Sequence, residues 1–322
     1  MNMKVYACYL KDQKMLNESS SGGAFTALSD EIFRQNGVVI ACNYNYKKHE
    51  LFFEKATNQG KRNLMRGSKY IQANTSSLYS LLEKELKSKE NSPLLIVGTP
   101  CQIAGVKSWL FERDYRPRRT IFFCDLICHG VSSPVMWKKY IMDVEKTGNY
   151  KIDLVTFKDK EKGWLRPTAK IKLQDGEEVL IEDFACLYRC NDFMREACYE
   201  CKFANLNRET DITIGDFWNI GNIDSEFANM QGTSLVLIHT EKGNALFQNA
   251  KRDLEYQEST WEACLQPNLQ YPTKRTKRYK DIHNDYKKHG IGYVIEKYLH
   301  YGPGNVWMRK LRRKIFWIKY GK

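Results

Sequence analysis

Short apolar runs alternate with amphipathic segments along the chain, and this alternation predicts an α/β protein. The predicted strands lie at residues 4–9, in VVIACNYN and LFFEKAT, at the start of SPLLIVGTPCQIAGVKSWL, in TIFFCDLICHG and in SLVLIHT. The predicted helices lie in SSSGGAFTALSDEIFRQNG, at residues 74–89, at the end of SPLLIVGTPCQIAGVKSWL, in VMWKKYIMDVEK and in EKGNALFQNAKRD. Serines precede the first helix as candidate caps, and Gly37 follows it as a candidate end.

Two segments predict how the strands are connected. A buried strand, a tight turn and a helix at residues 92–110 precede the strand TIFFCDLICHG, which predicts a β–α–β unit with a parallel pair. Residues 151–184 alternate apolar and polar positions in IDLVTF, TAKIKL and EVLIED, with an Asp175-Gly176 turn. The predicted fold is therefore α/β, with a mixed sheet containing a parallel β–α–β unit, an antiparallel insertion, and a helical basic C-terminal tail.

The formal net charge of +13 is concentrated near the C-terminus. From Tyr271 to Lys322 there are 15 Lys and Arg against 3 Asp and Glu, whereas residues 1–270 have 36 against 35. A nearly neutral body argues against an enzyme with a positive nucleic-acid-binding face, so we expect no nucleic-acid partner. The segment NVWMRKLRRKIFWIKY has one apolar and one basic helical face. This pattern predicts either a helix in an anionic membrane interface or a docked helix with a solvated basic face.

The cysteines suggest redox or metal chemistry. The sequence has no signal-like apolar N-terminus and no run of ~18 apolar residues, so we expect a cytoplasmic protein, peripheral to the inner face of the membrane where the tail binds lipid. Structural disulfides are rare in that compartment. Seven of the ten cysteines fall between residues 101 and 201, whereas Cys8, Cys42 and Cys264 are expected to be buried, inert thiols.

Two motifs are candidates for binding phosphate or a ring system. The run SSSGG, residues 19–23, places hydroxyls and flexible backbone at a helix N-terminus, where exposed N–H groups bind anions. The same run is also an ordinary serine cap. The turn MRGSKY, residues 65–70, groups two cations, a hydroxyl and an aromatic ring around a glycine. It is equally well explained as a solvated basic loop.

The thiols fall into two overlapping sets. Cys101 follows the turn Gly98-Thr99-Pro100 at a helix N-terminus, and Cys128 ends the next strand. Because ligands of open α/β sheets bind at the carboxyl ends of strands, these two cysteines are expected to lie close together and to be functional. Four thiols within sixteen residues suggest a zinc site: Cys186, Cys190, Cys198 and Cys201. Alternatively, the CYEC pair supplies half of an iron–sulfur cluster and two strand-end cysteines supply the rest.

Five ordered segments resemble the beta subunit of coenzyme F(420) (deazaflavin)-reducing hydrogenases and dehydrogenases: SSSGGAFTALSDEI, MRGSKYIQ, VGTPCQIAGVK, LICHGVSSP and CYECKFANLNRETDITIGDFWNI. The match spans roughly residues 4–240. Bacterial relatives are often associated with surface-polysaccharide synthesis. The resemblance implies an oxidoreductase that passes electrons between a 4Fe-4S cluster and FAD, which exchanges hydride with a deazaflavin-like or other substrate.

The resemblance also implies site residues. The residues expected to contact FAD are Ser21, Gly22, Gly23, Arg66, Gly67, Ser68, Lys69, Tyr70, Gly98, Thr99 and Pro100. The expected cluster ligands are Cys101, Cys128, Cys198 and Cys201. The expected domains are a flavin-binding subdomain at 1–90, an iron–sulfur and flavin catalytic domain at 91–270, and the basic helical tail at 271–322.

Two features differ from the resembled pattern. Many bacterial relatives begin with a ferredoxin-like module, whereas this chain starts at the first flavin-domain strand, so we expect a separate ferredoxin-like electron carrier as a partner. The basic tail also lies outside the core pattern. The alternatives are a zinc-stabilised, non-catalytic binding protein of a glycan-assembly complex, and a former oxidoreductase that keeps the fold without turnover.

Overall fold

The computed structural model describes residues 3–88, 90–114, 118–161, 163, 164 and 167–300. Eleven strands are present in these ranges: β1 Lys4–Leu10, β2 Val38–Asn45, β3 Glu50–Ala56, β4 Leu94–Gly98, β5 Ile121–Leu126, β6 Ile152–Asp159, β7 Thr168–Leu173, β8 Glu178–Leu180, β9 Ile212–Asp216, β10 Ser234–Ile238 and β11 Leu254–Ser259. An eight-stranded sheet has the order β11-β1-β10-β9-β5-β4-β2-β3, and β6-β7-β8 form a second sheet.

Eleven α-helices are present in the same ranges: α1 Gln13–Asn17, α2 Ala24–Arg34, α3 Gln59–Asn63, α4 Ser76–Lys87, α5 Pro100–Glu112, α6 Pro134–Gly148, α7 Glu182–Arg189, α8 Ile220–Ile223, α9 Glu241–Ala250, α10 Trp261–Cys264 and α11 Tyr279–Ile295. Short 3₁₀ helices occupy Glu196–Glu200, Lys251–Asp253 and Pro267–Leu269, and a π-helical turn occupies Glu296–His300. No helix in the described ranges has both the length and the apolar character needed to cross a bilayer.

The large sheet is mixed, as predicted. Strands β2, β4, β5 and β9 are parallel neighbours, and antiparallel strands extend the sheet on both sides. The β4–α5–β5 unit is the predicted parallel crossover, and the smaller sheet is the predicted antiparallel insertion. Strands β2 and β4 come from opposite sides of residue 90 yet are paired, and the predicted three-domain division stays a prediction.

The core lies on both faces of the large sheet. On one face, alternate strand residues such as Val39, Leu95 and Val97 belong to a buried cluster with apolar residues of α2 and α9. On the other, Ile40 and Ile96 belong to a cluster that includes residues of α4, α5, α6 and the smaller sheet. Because both faces are covered, the central strands are apolar at successive positions.

Several local predictions differ from the structure. The run EVLIED is a strand only to Leu180, since α7 begins at Glu182 and buries Phe184 and Leu187 at helical spacing. Strands β9 and β11 were not among the predicted strands. Gly23, rather than a serine, is the N-cap of α2, without a side-chain capping bond. The described part of the tail is helical, as predicted, whereas the segment NVWMRKLRRKIFWIKY lies outside the described residues.

Candidate cofactor-binding site

The carboxyl ends of three parallel strands form one wall of the site. Strands β4 and β5 pair in parallel, and β5 and β9 do the same, so the three chains leave the sheet at the same edge. At this edge β4 leads to Thr99, β5 leads to Cys128 and β9 ends at Asp216. This is where open α/β sheets bind ligands, because the connections there leave a crevice.

Backbone hydrogen bonds hold three of the sequence motifs side by side. The N–H of Ser132 donates to the carbonyl of Tyr70 at 2.9 Å, and the N–H of Gln72 donates to the carbonyl of Ser132 at 3.0 Å. On the other side, the N–H of Arg195 donates to the carbonyl of Val131 at 2.8 Å. The MRGSKYIQ, LICHGVSS and CYEC segments are therefore neighbours, although more than 100 residues separate the first from the last.

A cavity of about 880 Å³ lies among these segments, near the upper end of the range of about 300–1,000 Å³ that is typical of ligand pockets. Most of the predicted site residues line it: Ser21, Gly23, Arg66, Gly67, Ser68, Lys69, Tyr70, Gly98, Thr99, Cys101 and Cys128. The structure thus brings motifs that are far apart in the sequence together around one cavity. The predicted fold class alone did not require this.

Gly22 and Pro100 are not among the lining residues. A Cβ at Gly22 would lie 2.2 Å from the carbonyl oxygen of Cys8 and 2.5 Å from the backbone nitrogen of Ser234. Gly22 is therefore required for close packing against β1 and β10. Pro100 is buried as the first residue of α5, a position suited to its fixed φ.

One end of the cavity is suited to an anion. Gly23 has φ +86°, a left-handed conformation that favours glycine, and turns the chain into α2. Thr26, in the first turn of α2, lines the cavity, and its buried Oγ1 has no hydrogen-bond partner among the described residues. The same holds for Nη1 of Arg66. Unsatisfied buried donors beside a helix N-terminus fit a phosphate group.

Lys69 has a different role from Arg66. Its Nζ donates to the carbonyls of Met65, Arg66 and Gly67 at 2.8, 2.9 and 3.1 Å. Burial lowers the pKa of Lys69, and the charge of Cys42 opposes that shift. Because three carbonyls already hold the ammonium group, Lys69 shapes the turn, whereas Arg66 pairs with Glu18 through Nη2 and leaves Nη1 for a ligand.

A stacked tyrosine pair lines the cavity close to the cysteines. The rings of Tyr70 and Tyr188 are 4.3 Å apart between centroids and inclined by 14°. The Tyr188 hydroxyl donates to the carbonyl of Gly130 at 2.9 Å, close in sequence to Cys128. Burial raises the pKa of both tyrosines, so both are neutral phenols at ordinary pH. Nothing in the sequence pattern indicated Tyr188.

Cys101, Cys128, Cys198 and Cys201 come together here, and the first two line the cavity. Burial raises the pKa of Cys128 to about 12, and the charges of the other three thiols contribute to the increase. Burial also raises the pKa of Cys198, with contributions from Cys101 and Cys201. A Cβ at Gly130 would lie 3.2 Å from Cβ of Cys198, so the two segments touch. Cys101 is the exposed member.

Among the described residues, neither predicted set of thiols forms a site for a single metal ion. In the described ranges, no three His, Cys, Asp or Glu side chains are close enough to hold a single metal ion. Cys186 and Cys190 line the cavity and act electrostatically on Arg278, whereas the thiols that act on Cys198 are Cys101 and Cys201. An iron–sulfur cluster is larger than one ion and spreads its thiolate ligands around itself. The donor set of four mutually interacting thiols fits such a cluster.

The antiparallel insertion and the tail also line the cavity, which the sequence did not indicate. Lys158 pairs with Asp216, and the Trp164 indole donates to Asp216 at 3.3 Å. Arg278, Tyr298 and Leu299 line the cavity from the C-terminal side. The alternation of residues 151–184 predicted the insertion but gave no sign that its loop reaches the site.

The fold and the cavity together define an α/β protein with a cofactor-sized site flanked by four thiols. Residues 92–262, just over half of the chain, match the protein family that comprises the C terminus of the coenzyme F420 hydrogenase/dehydrogenase beta subunit. The chain belongs to this family of oxidoreductase subunits, which confirms the resemblance in the sequence.

One solved structure has a similar fold over most of the chain. It is a chain of the F420-reducing [NiFe] hydrogenase complex from Methanosarcina barkeri, from a xenon derivatisation study. The TM-score is 0.53, the sequence identity is 18%, and the match covers 93% of each chain. A search of curated proteins gave no match. At this identity, the structural likeness supports the fold and nothing finer.

Proposed function

We propose that the protein is an iron–sulfur flavoprotein oxidoreductase that passes electrons between a 4Fe-4S cluster and FAD and exchanges hydride with a deazaflavin-like or other substrate. The observation that carries this proposal is the cavity itself. Its walls include nine of the eleven residues predicted to contact FAD, and four thiols lie together at the cavity, two of them in its lining. Family membership supports the oxidoreductase class.

The flavin nucleotide would lie along the segments from α2 to the MRGSKY turn. The first-turn N–H groups of α2, the Thr26 hydroxyl and Nη1 of Arg66 would hold its phosphates, since these donors lack protein partners or stand at a helix N-terminus. Gly67 leaves open space beside the cavity, because a Cβ there would meet no atom within 4 Å. Tyr70 would present its ring to the same group.

The cluster would be held by Cys101, Cys128, Cys198 and Cys201. Burial and the repulsion of neighbouring thiolates raise the pKa of Cys128, and bound iron would reverse that effect because metal ligation favours the thiolate. Bound together, the flavin and the cluster supply two-electron and one-electron exchange respectively. The protein's own residues place the two sites next to each other, with the stacked rings of Tyr70 and Tyr188 close to both.

Partners and location follow from the same proposal. Cys101 is exposed at the N-terminus of α5, so a separate ferredoxin-like carrier would approach the thiols from this side. The similar hydrogenase chain belongs to a complex, and partner proteins are proposed for this chain by analogy with it. Attachment of the tail to an anionic membrane surface, a peripheral cytoplasmic location and a link to surface-polysaccharide synthesis stay predictions.

Paired cysteine variants test the proposal against the zinc alternative. The double variant Cys101→Ser/Cys128→Ser removes the two strand-end thiols, and we expect it to lose bound iron and sulfide after anaerobic isolation. Cys186→Ser/Cys190→Ser is the matched control, since it removes two other thiols that line the same cavity. The control should keep wild-type iron. Iron loss in the control alone, or stoichiometric zinc that only the control removes, would contradict the proposal.

A further inference from the structure

Two thiols that the proposed function does not use face the same cavity. Cys186 lies in α7 and Cys190 immediately follows it, with the N–H of Cys190 donating to the carbonyl of Cys186 at 2.9 Å. Both side chains line the cavity. Side chains four positions apart in a helix share one face, so the two sulfurs are presented to the cavity together.

A cation stands beside this thiol pair. Arg278, from the segment before α11, also lines the cavity. Its Nε donates to Oδ2 of Asp192 at 3.0 Å, its Nη2 contacts the same oxygen, and the hydroxyl of Thr276 donates to Oδ1 at 2.6 Å. Burial opposes the charge of Arg278, but Asp192, Cys190 and Cys186 together raise its pKa. The fixed guanidinium favours thiolates at Cys186 and Cys190.

We propose that Cys186 and Cys190 form a redox-active dithiol that exchanges with small disulfides entering the cavity. One thiolate attacks a sulfur of the incoming disulfide, forms a mixed disulfide and releases one thiolate, which takes up a proton. The second cysteine thiolate then attacks the protein sulfur of the mixed disulfide and releases the other half. The two cysteines lose two electrons and two protons, and the substrate disulfide gains both as two thiols.

The geometry at the end of α7 makes the disulfide between Cys186 and Cys190 reversible. Residues four apart in a helix have Cβ atoms about 5–6 Å apart, whereas a disulfide needs about 3.5–4.5 Å. Closing the bond therefore requires the chain after Arg189 to move. The bond from the N–H of Cys190 to the carbonyl of Cys186 is the last i→i−4 hydrogen bond of α7, and Asn191 has φ +63° in the left-handed region. A disulfide formed against this geometry is easily reduced, which suits exchange better than permanent crosslinking.

Peptide mapping tests the inference on the full-length, anaerobically isolated protein. The probe is glutathione disulfide, followed by acid quenching, thiol alkylation and trypsin. Because trypsin cleaves after Arg189, a Cys186–Cys190 bond joins peptide 173–189 to peptide 190–195. We expect this linked pair by mass spectrometry, with two glutathione molecules released per chain. Cys186→Ser and Cys190→Ser should each trap a mixed disulfide on the remaining cysteine.

Further variants distinguish chemistry from mere accessibility. Loss of the cation in Arg278→Gln should slow exchange by about threefold, because removal of a nearby cation lowers the thiolate fraction while the remaining thiolate becomes a better nucleophile. Arg278→Lys should restore most of the rate. The inference is overturned if folded wild-type protein gives only unlinked peptides, or if Cys186 and Cys190 link to Cys198 or Cys201 instead of each other.

Discussion

Replacement of Arg66 by glutamine gives a sharp test of the flavin site. The Arg66 side chain is mostly buried at the cavity, with Nη2 paired to Glu18 and Nη1 without a hydrogen-bond partner among the described residues. A charge-assisted hydrogen bond to a phosphate contributes about 1.5–3 kcal/mol, so its loss should raise the Kd for FAD by about 10- to 150-fold. Fluorescence titration of the flavin-free protein measures this change.

Two comparisons make the result specific. Riboflavin has no phosphate, so its Kd should change little between wild type and Arg66→Gln. Glu18→Gln is the matched control, because it breaks the same ion pair but keeps the guanidinium of Arg66. Since Glu18 is half-exposed, this substitution should lower the free energy of unfolding by at most about 1 kcal/mol. Equal weakening of FAD and riboflavin, or an unchanged Kd for FAD, would refute the assignment of Arg66 to the phosphates.

Three further predictions concern stability. Gly22→Ala should lower the free energy of unfolding by about 3 kcal/mol, because the added Cβ overpacks the contact with β1 and β10. Gly292→Ala is the control: its Cβ meets no atom within 4 Å, so it should be neutral or stabilising in thermal unfolding. Burial lowers the pKa of His239 to about 4. Acidification from pH 7.5 to 4.5 should therefore destabilise wild type by about 2–3 kcal/mol more than His239→Gln in denaturant titrations, because mainly the unfolded histidine gains a proton in this pH range. Equal dependence of the two proteins' stability on pH would contradict this. Asp192→Asn leaves the Arg278 cation without its buried carboxylate and should cost about 3 kcal/mol, a loss that an unchanged midpoint of thermal unfolding would disprove.

Local patterns in the sequence were sufficient for most of the sheet and for one wall of the site. Apolar runs of the right length predicted β2, β4 and β5, and the proline turn between β4 and α5 predicted the parallel crossover. Strand-end positions also implied that Cys101 and Cys128 would come close together. These features were predictable because each depends on residues adjacent in the chain or on the fixed geometry of a parallel pair.

Contacts between distant segments were not predictable in this way. Tyr188 stacks on Tyr70 only because α7 replaces the expected strand, and its apolar residues have helical spacing that the alternation before Leu180 obscured. Arg278 reaches the cavity from a tail whose charge suggested a membrane surface. Neither arrangement has a local signal, since each depends on how the insertion and the tail pack against the large sheet.

The proposed function requires that one cavity holds a flavin and that four thiols hold an iron–sulfur cluster beside it. Both requirements are tested together by the content of iron, acid-labile sulfide and flavin in the anaerobically isolated full-length protein. We expect about four iron, about four sulfide and about one FAD per chain, with broad absorbance near ~400 nm from thiolate-held iron. A colourless protein that binds stoichiometric zinc and no flavin after anaerobic reconstitution would show that the proposed function is wrong.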